Sequence, residues 1–291
     1  MPYREVDPRE LGLKDRHQYL LGGVGPRPIA FVGSLSADGL PNLAPFSFFN
    51  AFGANPVIIG ISPAYSGRTG EPKDTMLNIM ATGEFTVSIV SYPMVRQMHL
   101  AAGEFPPEVS EFEVSGLTPL PSLKVAPPGV AESPFVMECI FDRHIELGGD
   151  KGSGNLLLGE VVQYRIKEEV FGDDGHIDPY KMDQVGRHNL GWYSRVREGL
   201  FSIDRRQTDR AVGFQALPAE LLTSTVLTGN DLALLAGVPE VPRDAEVPGD
   251  LKARLEGMST EDRHREIKGL IEAGDIEGAW AVGLAGMQDE G

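Results

Sequence analysis

The chain has 291 residues, 41% hydrophobic and 23% charged, which is enough apolar material for one large folded domain or two ordinary ones. A net charge of −16 disfavours a nucleic-acid backbone as partner, and the lone cysteine, Cys139, excludes a disulfide framework or a multi-cysteine zinc site within one chain. No apolar run reaches the ~20 residues of a membrane span, and the N-terminus lacks a secretion-signal pattern, so a cytoplasmic protein is expected.

The 35 glycines and 22 prolines predict many turns and short strands. Asp15 to Leu20 reads as one or two helical turns before the breaker Gly22-Gly23-Val24-Gly25-Pro26. Arg27 to Leu35 is β-rich and runs into Asp38-Gly39, a strong hairpin signal. Asn42 to Phe49 continues as the partner strand, with Pro45 implying an edge or a bulge. Val57 to Ser62 reads as a buried strand. Lys73 to Met80 reads as a helix with Asp74 at the N-cap and Gly83 past its end. Glu84 to Val90 alternates as a strand, and Met94 to Ala102 reads as a short helix. The Pro-rich stretch 106 to 134 suggests no regular element. Phe135 to Leu147 and Leu156 to Lys167 read as long strands joined by the Gly-rich link 148 to 154, and Asp173-Asp174-Gly175 as a turn. Past Asp204 strand patterns stop. Ala219 to Leu227, Asp231 to Ala236 and Thr260 to Ala273 read as helices, the last with Ser259 as N-cap and Gly274 at its C-terminal end.

Several motifs carry no chemistry. The segment Gly22 to Pro26 neither follows a strand nor opens a helix, so it is a turn rather than a nucleotide fingerprint. The link 148 to 154 lacks the Gly-Lys-Ser/Thr order of a phosphate loop. The six histidines show no metal-ligand spacing, and Cys139 in a strand pattern reads as a small core residue. Two segments are richer. Asn42 to Ala51 interleaves Phe46, Phe48 and Phe49 with Ser47 and two asparagines around Pro45. That composition suits either a flat ring with polar edges or three core phenylalanines on a strand. Ser62 to Thr75 is a strand-to-helix loop carrying Arg68, Lys73 and several hydroxyls. It suits either a phosphate at a helix N-terminus or an ordinary capped helix with solvated charges.

Arg27-Pro28-Ile29-Ala30, Asp38-Gly39, Pro41 to Ala51, Lys73-Asp74-Thr75 and Gly83-Glu84-Phe85-Thr86-Val87-Ser88 occur in that order. Phe112 to Pro119, Ala131 to Pro134, Gly159-Glu160-Val161, Asp178-Pro179 and Gly186-Arg187 ahead of Tyr193 follow them. Over about residues 20 to 203 this series resembles the flavin reductase-like family, in particular the branch of the reductase component of nitrilotriacetate monooxygenase. The resemblance implies a mainly β fold, an FMN-binding split barrel over 1–204, with 205–291 left as a helical C-terminal extension. It also implies a homodimer, NADH or NADPH as co-substrate, and a monooxygenase as recipient of the reduced flavin. Carried over by motif, Asn42, Ala44, Pro45, Phe46, Ser47, Phe49, Asn50 and Ala51 line the flavin ring. Ser62, Lys73 and Thr75 hold the phosphate end, with Arg68 in the same loop, and Arg187 and Tyr193 approach the same site. No catalytic base and no metal is implied. The stretch His188 to Trp192 departs from the Gly-Gly-Asp-Tyr-like pattern of that branch, which keeps open a second reading, an FMN-binding redox sensor or electron-carrier module without turnover.

Overall fold

The computed structural model of the protein describes residues 2–106, 108–203, 211–255 and 257–285. The chain divides into two compact units, Met1–Leu200 and Phe201–Gly291. The boundary expected between Asp204 and Arg205 lies outside the described residues.

The first unit opens with α1 (Leu13–Gly23), longer than the sequence suggests, and continues with β1 (Ala30–Leu35), β2 (Pro41–Phe46), β3 (Phe49–Ala54) and β4 (Val57–Ile61). Helix α2 (Asp74–Thr82), strand β5 (Glu84–Ile89), α3 (Val95–Leu100) and α4 (Glu111–Ser115) follow. Then come the short β6 (Pro119–Leu120) and β7 (Gly129–Val130), the long β8 (Phe135–Leu147) and β9 (Gly154–Ile166), α5 (Pro179–Met182), β10 (Val185–Arg187) and β11 (Tyr193–Arg195).

Seven strands form one antiparallel sheet in the order β2-β1-β5-β8-β9-β4-β3. Its two edges, β2 and β3, are consecutive in the chain and joined by Ser47 and Phe48 alone. Were the sheet flat, six spacings would put the edges about 29 Å apart. The link from Phe46 to Phe49 spans at most about 11 Å. The sheet must therefore roll until its edges meet without pairing, which makes it an open barrel with a seam. Pro45 suits the seam, because an edge strand needs no donor on its outer side.

The expected strand Asn42 to Phe49 is thus two strands with a turn at the seam, and β3 is an element its own sequence does not announce. The Asp38-Gly39 hairpin forms, with Gly39 at φ +81° and Leu35 paired with Pro41. Alternation on β1 sends Ala30 and Val32 into the barrel core, with Ile59, Ile61, Phe85, Val87, Cys139 and Leu157, while Phe31 packs on the other face. Met76 and Ile79 of α2 close the barrel core, and Met94, Met98 and Phe112 cover Phe31. Burial pushes the Cys139 thiol up, as befits a core residue rather than a nucleophile.

The stretch 108 to 134 is more ordered than its composition suggests. Distant carboxylates hold its amides: Glu138, 1% exposed, accepts from Leu123 and Lys124, Glu84 accepts from Ala126, and Glu111 of α4 reaches out to the amide of Leu43 on β2.

The second unit is helical: α6 (Ala219–Leu222), α7 (Gly229–Ala236), α8 (Gly249–Leu255), α9 (Thr260–Glu272) and α10 (Ile276–Ala285). Ser259 caps α9 as expected, and Gly274 takes φ +81°. The expected helix Ala219 to Leu227 stops at Leu222, because the Ser224 hydroxyl accepts from the amides of Val226 and Leu227 and turns the chain. Helices α8 and α10 were not foreseen. Leu221, Leu235, Ile267, Trp280 and Val282 form this unit's own core, and the Trp280 indole donates to the Leu235 carbonyl at 2.9 Å.

His264 is buried beside that core, 2.8 Å from Ser224 Oγ through Nδ1. With two amides already on Ser224 Oγ, its own proton goes to Nδ1, so the neutral ring carries its proton on Nε2, 3.6 Å from Glu220 Oε1. Burial pulls the His264 pKa down, Glu220 raises it and Arg263 lowers it further. A folded pKa below the unfolded value of about 6.5 gives stability that is complete above that value and is lost as pH falls below it. The helical unit is therefore expected to melt at a lower temperature at pH 5.5 than at pH 8, and His264→Gln to shrink that difference. An equal difference in the two proteins would assign the effect to other groups.

Candidate functional site

A cavity of about 270 Å³ opens where β2, α2, the loop before α2 and the stretch after α3 meet. One wall is apolar, built from Ala44, Pro45, Phe46, Ala101 and Phe105. The polar lining includes Arg68, Lys73, Thr75, Ser66 and Thr69. Glu71, Asp74, Glu104 and Glu111 also border it.

Backbone geometry sets the polar rim. Lys73, not Asp74, occupies the cap position of α2: its backbone is extended, and its carbonyl accepts from the amides of Met76 and Leu77. Asp74 is the first helical residue and complements the helix dipole from there. No side chain caps this terminus, so its first amides are open to an anion. Thr75 is 1% exposed, and its hydroxyl accepts from Asn42 Nδ2 at 2.9 Å, which leaves its proton to donate. Asn42 also reaches Ser34 Oγ at 3.3 Å, so β1, β2 and α2 are tied together beneath the cavity.

Above them, Glu104 binds Arg68 at 3.0 Å and Lys73 at 3.4 Å. Arg68 and then Lys73 hold its carboxyl below the usual carboxylate range. Burial pushes the Glu111 carboxyl up, opposed by the Leu43 amide and helped by Asp74.

Of the residues singled out in the sequence, the cavity gathers Asn42, Ala44, Pro45, Phe46, Arg68, Lys73 and Thr75. The others stand elsewhere. Ser62 fastens the end of β4: its amide donates to Phe48, and its hydroxyl accepts from the Asn155 amide. Phe49 packs on the barrel core, and Asn50 and Ala51 are exposed on the seam strand β3. Ser47, Arg187 and Tyr193 join a second cluster built on Arg27. That arginine is 5% exposed and donates to the carbonyls of Leu21, Val24 and His188 and to Ser47 Oγ. Its backbone pairs with that of Arg187, whose guanidinium lies 4.6 Å from the centre of the Tyr193 ring. Beside it, the unusual stretch His188 to Trp192 makes a turn with Trp192 73% exposed. Glu104, Phe105 and Glu111 were missed, since nothing in their own segment marks them as neighbours of β2 and α2.

An open seven-stranded antiparallel barrel, with a cleft lined by apolar, hydroxyl-bearing and charged side chains, defines the class of protein. The chain belongs to the flavin reductase-like family, whose domain matches residues 23–195. An uncharacterized protein of Halalkalibacterium halodurans is 40% identical over 205 residues, 69% of this chain and 96% of the relative. Nitrilotriacetate monooxygenase component B from Bacillus cereus shares the fold with a TM-score of 0.66 at 35% identity, covering 70% of this chain and all of that one. A Shewanella frigidimarina protein described as a flavin reductase with a split barrel domain matches with a TM-score of 0.61 at 25% identity, covering 70% of this chain and 98% of that one. The barrel is thus the split barrel of this family, and the helices of the second unit follow it.

Proposed function

We propose that the protein is an FMN-binding oxidoreductase in which NADH or NADPH reduces the flavin, and that the reduced flavin serves a partner monooxygenase. The observation carrying this reading is the cleft itself, whose lining brings Ala44, Pro45 and Phe46 together with Arg68, Lys73 and the uncapped N-terminus of α2. The residues present fit the cofactor. Arg68, Lys73 and Thr75 suit a phosphate, and Ala44, Pro45 and Phe46 suit the ring. Near 270 Å³, the cavity is slightly below the ~300–1,000 Å³ of common ligand pockets, so part of the cofactor extends past it toward solvent or a second chain.

Bound flavin supplies hydride acceptance, and the protein supplies position and electrostatics. Thr75, fixed by Asn42, orients a phosphate oxygen, and Lys73 neutralises charge beside it. Phe46 and Pro45 exclude water from one side of the ring. No residue in the cleft is needed as a catalytic base. The kinship to a monooxygenase component supports the proposed recipient. A homodimer of ~63 kDa, twice the chain mass of 31.5 kDa, belongs to the same reading.

The experiment is the visible absorbance of the purified protein with FMN, before and after NADH or NADPH. Bleaching with turnover is expected, on a species whose mass light scattering gives as a dimer. A yellow protein inert to both nucleotides would instead favour the sensor or carrier reading. A protein that binds no FMN would overturn both.

A further inference from the structure

We propose that Glu104 is a resident anion, a carboxylate that holds Arg68 and Lys73 in the place a flavin phosphate takes and so limits the affinity for phosphorylated flavins. This deepens the preceding reading and rests on it. Arg68 and Lys73 are the two basic side chains bordering the cavity, and Glu104 engages both, one with each oxygen. A single carboxylate bridging two cations at the mouth of a cleft is arranged as a bound anion would be.

The charge around the cleft shows why Glu104 must yield. Glu71, Asp74 and Glu111 border the same cavity, so with Glu104 four carboxylates and two cations line it. A phosphate joining them with Glu104 still in place would add its charge to an acidic excess. With Glu104 turned outward, the phosphate meets the guanidinium, the ammonium and the open amides of α2 together. Glu104 can leave cheaply. Its side chain is 61% exposed, and those of Arg68 and Lys73 are 77% and 42% exposed, so these are surface pairs that solvent and salt weaken. Glu104 follows Gly103 in an irregular stretch between α3 and α4, outside any helix or strand that would hold it in place. Riboflavin carries no phosphate and has no reason to displace it, so the carboxylate weakens binding of phosphorylated flavins and leaves that of riboflavin unchanged.

The test measures dissociation constants of FMN and riboflavin, at low and physiological salt, for the full chain, Glu104→Gln, Glu104→Ala and Lys73→Ala. Both Glu104 variants are expected to bind FMN about two- to tenfold tighter and riboflavin as the parent chain does, with the gain shrinking at higher salt. If Lys73→Ala weakens FMN selectively while the Glu104 variants bind FMN as the parent chain does, or more weakly, the resident-anion proposal falls and the phosphate placement stands. If Lys73→Ala affects both flavins alike, the phosphate placement itself falls, and the proposal with it.

Discussion

Trp280→Ala is expected to cost the helical unit about 3–5 kcal/mol, the range for emptying a large aromatic site in a core. Trp280 is fully buried among Leu221, Leu235, Ile267 and Val282, and its indole N–H satisfies the Leu235 carbonyl. The substitution therefore opens a cavity and leaves a buried acceptor without its donor. Whole domains are stable by only about 5–15 kcal/mol, and a unit this small sits toward the lower end, so the loss removes most of its margin. Trp280→Phe keeps much of the apolar bulk and is expected to cost less. Hydrogen exchange resolved along the chain measures both variants: amides of α7, α9 and α10 lose protection, while those of β1, β5 and β8 keep theirs. Every residue bordering the candidate site belongs to the first unit, and the family domain ends at residue 195. FMN affinity is accordingly expected to survive Trp280→Ala, as it is expected to survive ending the chain after Asp204. A truncated chain that folds its barrel yet loses FMN would show that the second unit closes the site.

What the sequence revealed and what it concealed follows from the distance over which each feature is determined. The β1–β2 hairpin was readable because Asp38-Gly39 sets its turn locally, and α9 because Ser259 caps a strongly amphipathic stretch. Strand β3 was not, since Asn50 to Ala54 is exposed and includes Gly53, and only pairing with β4 makes it a strand. Helix α10 was missed for the opposite reason. It is buried on every side, so it has no polar face to set a period, and Gly278 and Gly283 lower its intrinsic helix preference. The stretch 108 to 134 has order imposed by Glu84, 42 positions from the amide it holds, and by Glu138 on the strand that follows, both outside the stretch itself. The cleft divides along the same line. Asn42 to Phe46 and Arg68 to Thr75 were legible as two local segments of suggestive chemistry, and the fold brings both to one cavity. Glu104 and Glu111 were invisible because their role depends on α3 and α4 packing against β2. Ser62 reads as a ligand residue in the sequence, and its tie to the Asn155 amide across the sheet is visible only in the fold.

Lys73→Ala is the substitution expected to change flavin binding most. A charge-assisted contact to phosphate contributes roughly 1.5–3 kcal/mol, or about tenfold to hundredfold in affinity. Lys73 is 42% exposed and already paired with Glu104, so the loss belongs at the lower end of that range, about tenfold for FMN. Riboflavin is expected to lose far less. Arg68, at 77% exposure, contributes less than Lys73 and is the next candidate if Lys73 proves silent. Thr75→Val tests the same placement from the buried side. It removes a hydroxyl that can donate to phosphate and deprives the Asn42 amide of its acceptor, so both the anion contact and the β2–α2 tie are weakened. Thr75→Ser keeps the hydroxyl and is expected to restore most of the FMN affinity, which a purely packing role for Thr75 would not predict. The quantity that decides is the ratio of FMN to riboflavin affinity. A ratio that falls with Lys73→Ala and Thr75→Val, and recovers with Thr75→Ser, places the phosphate at the N-terminus of α2; a ratio unchanged in all three moves the phosphate away from it.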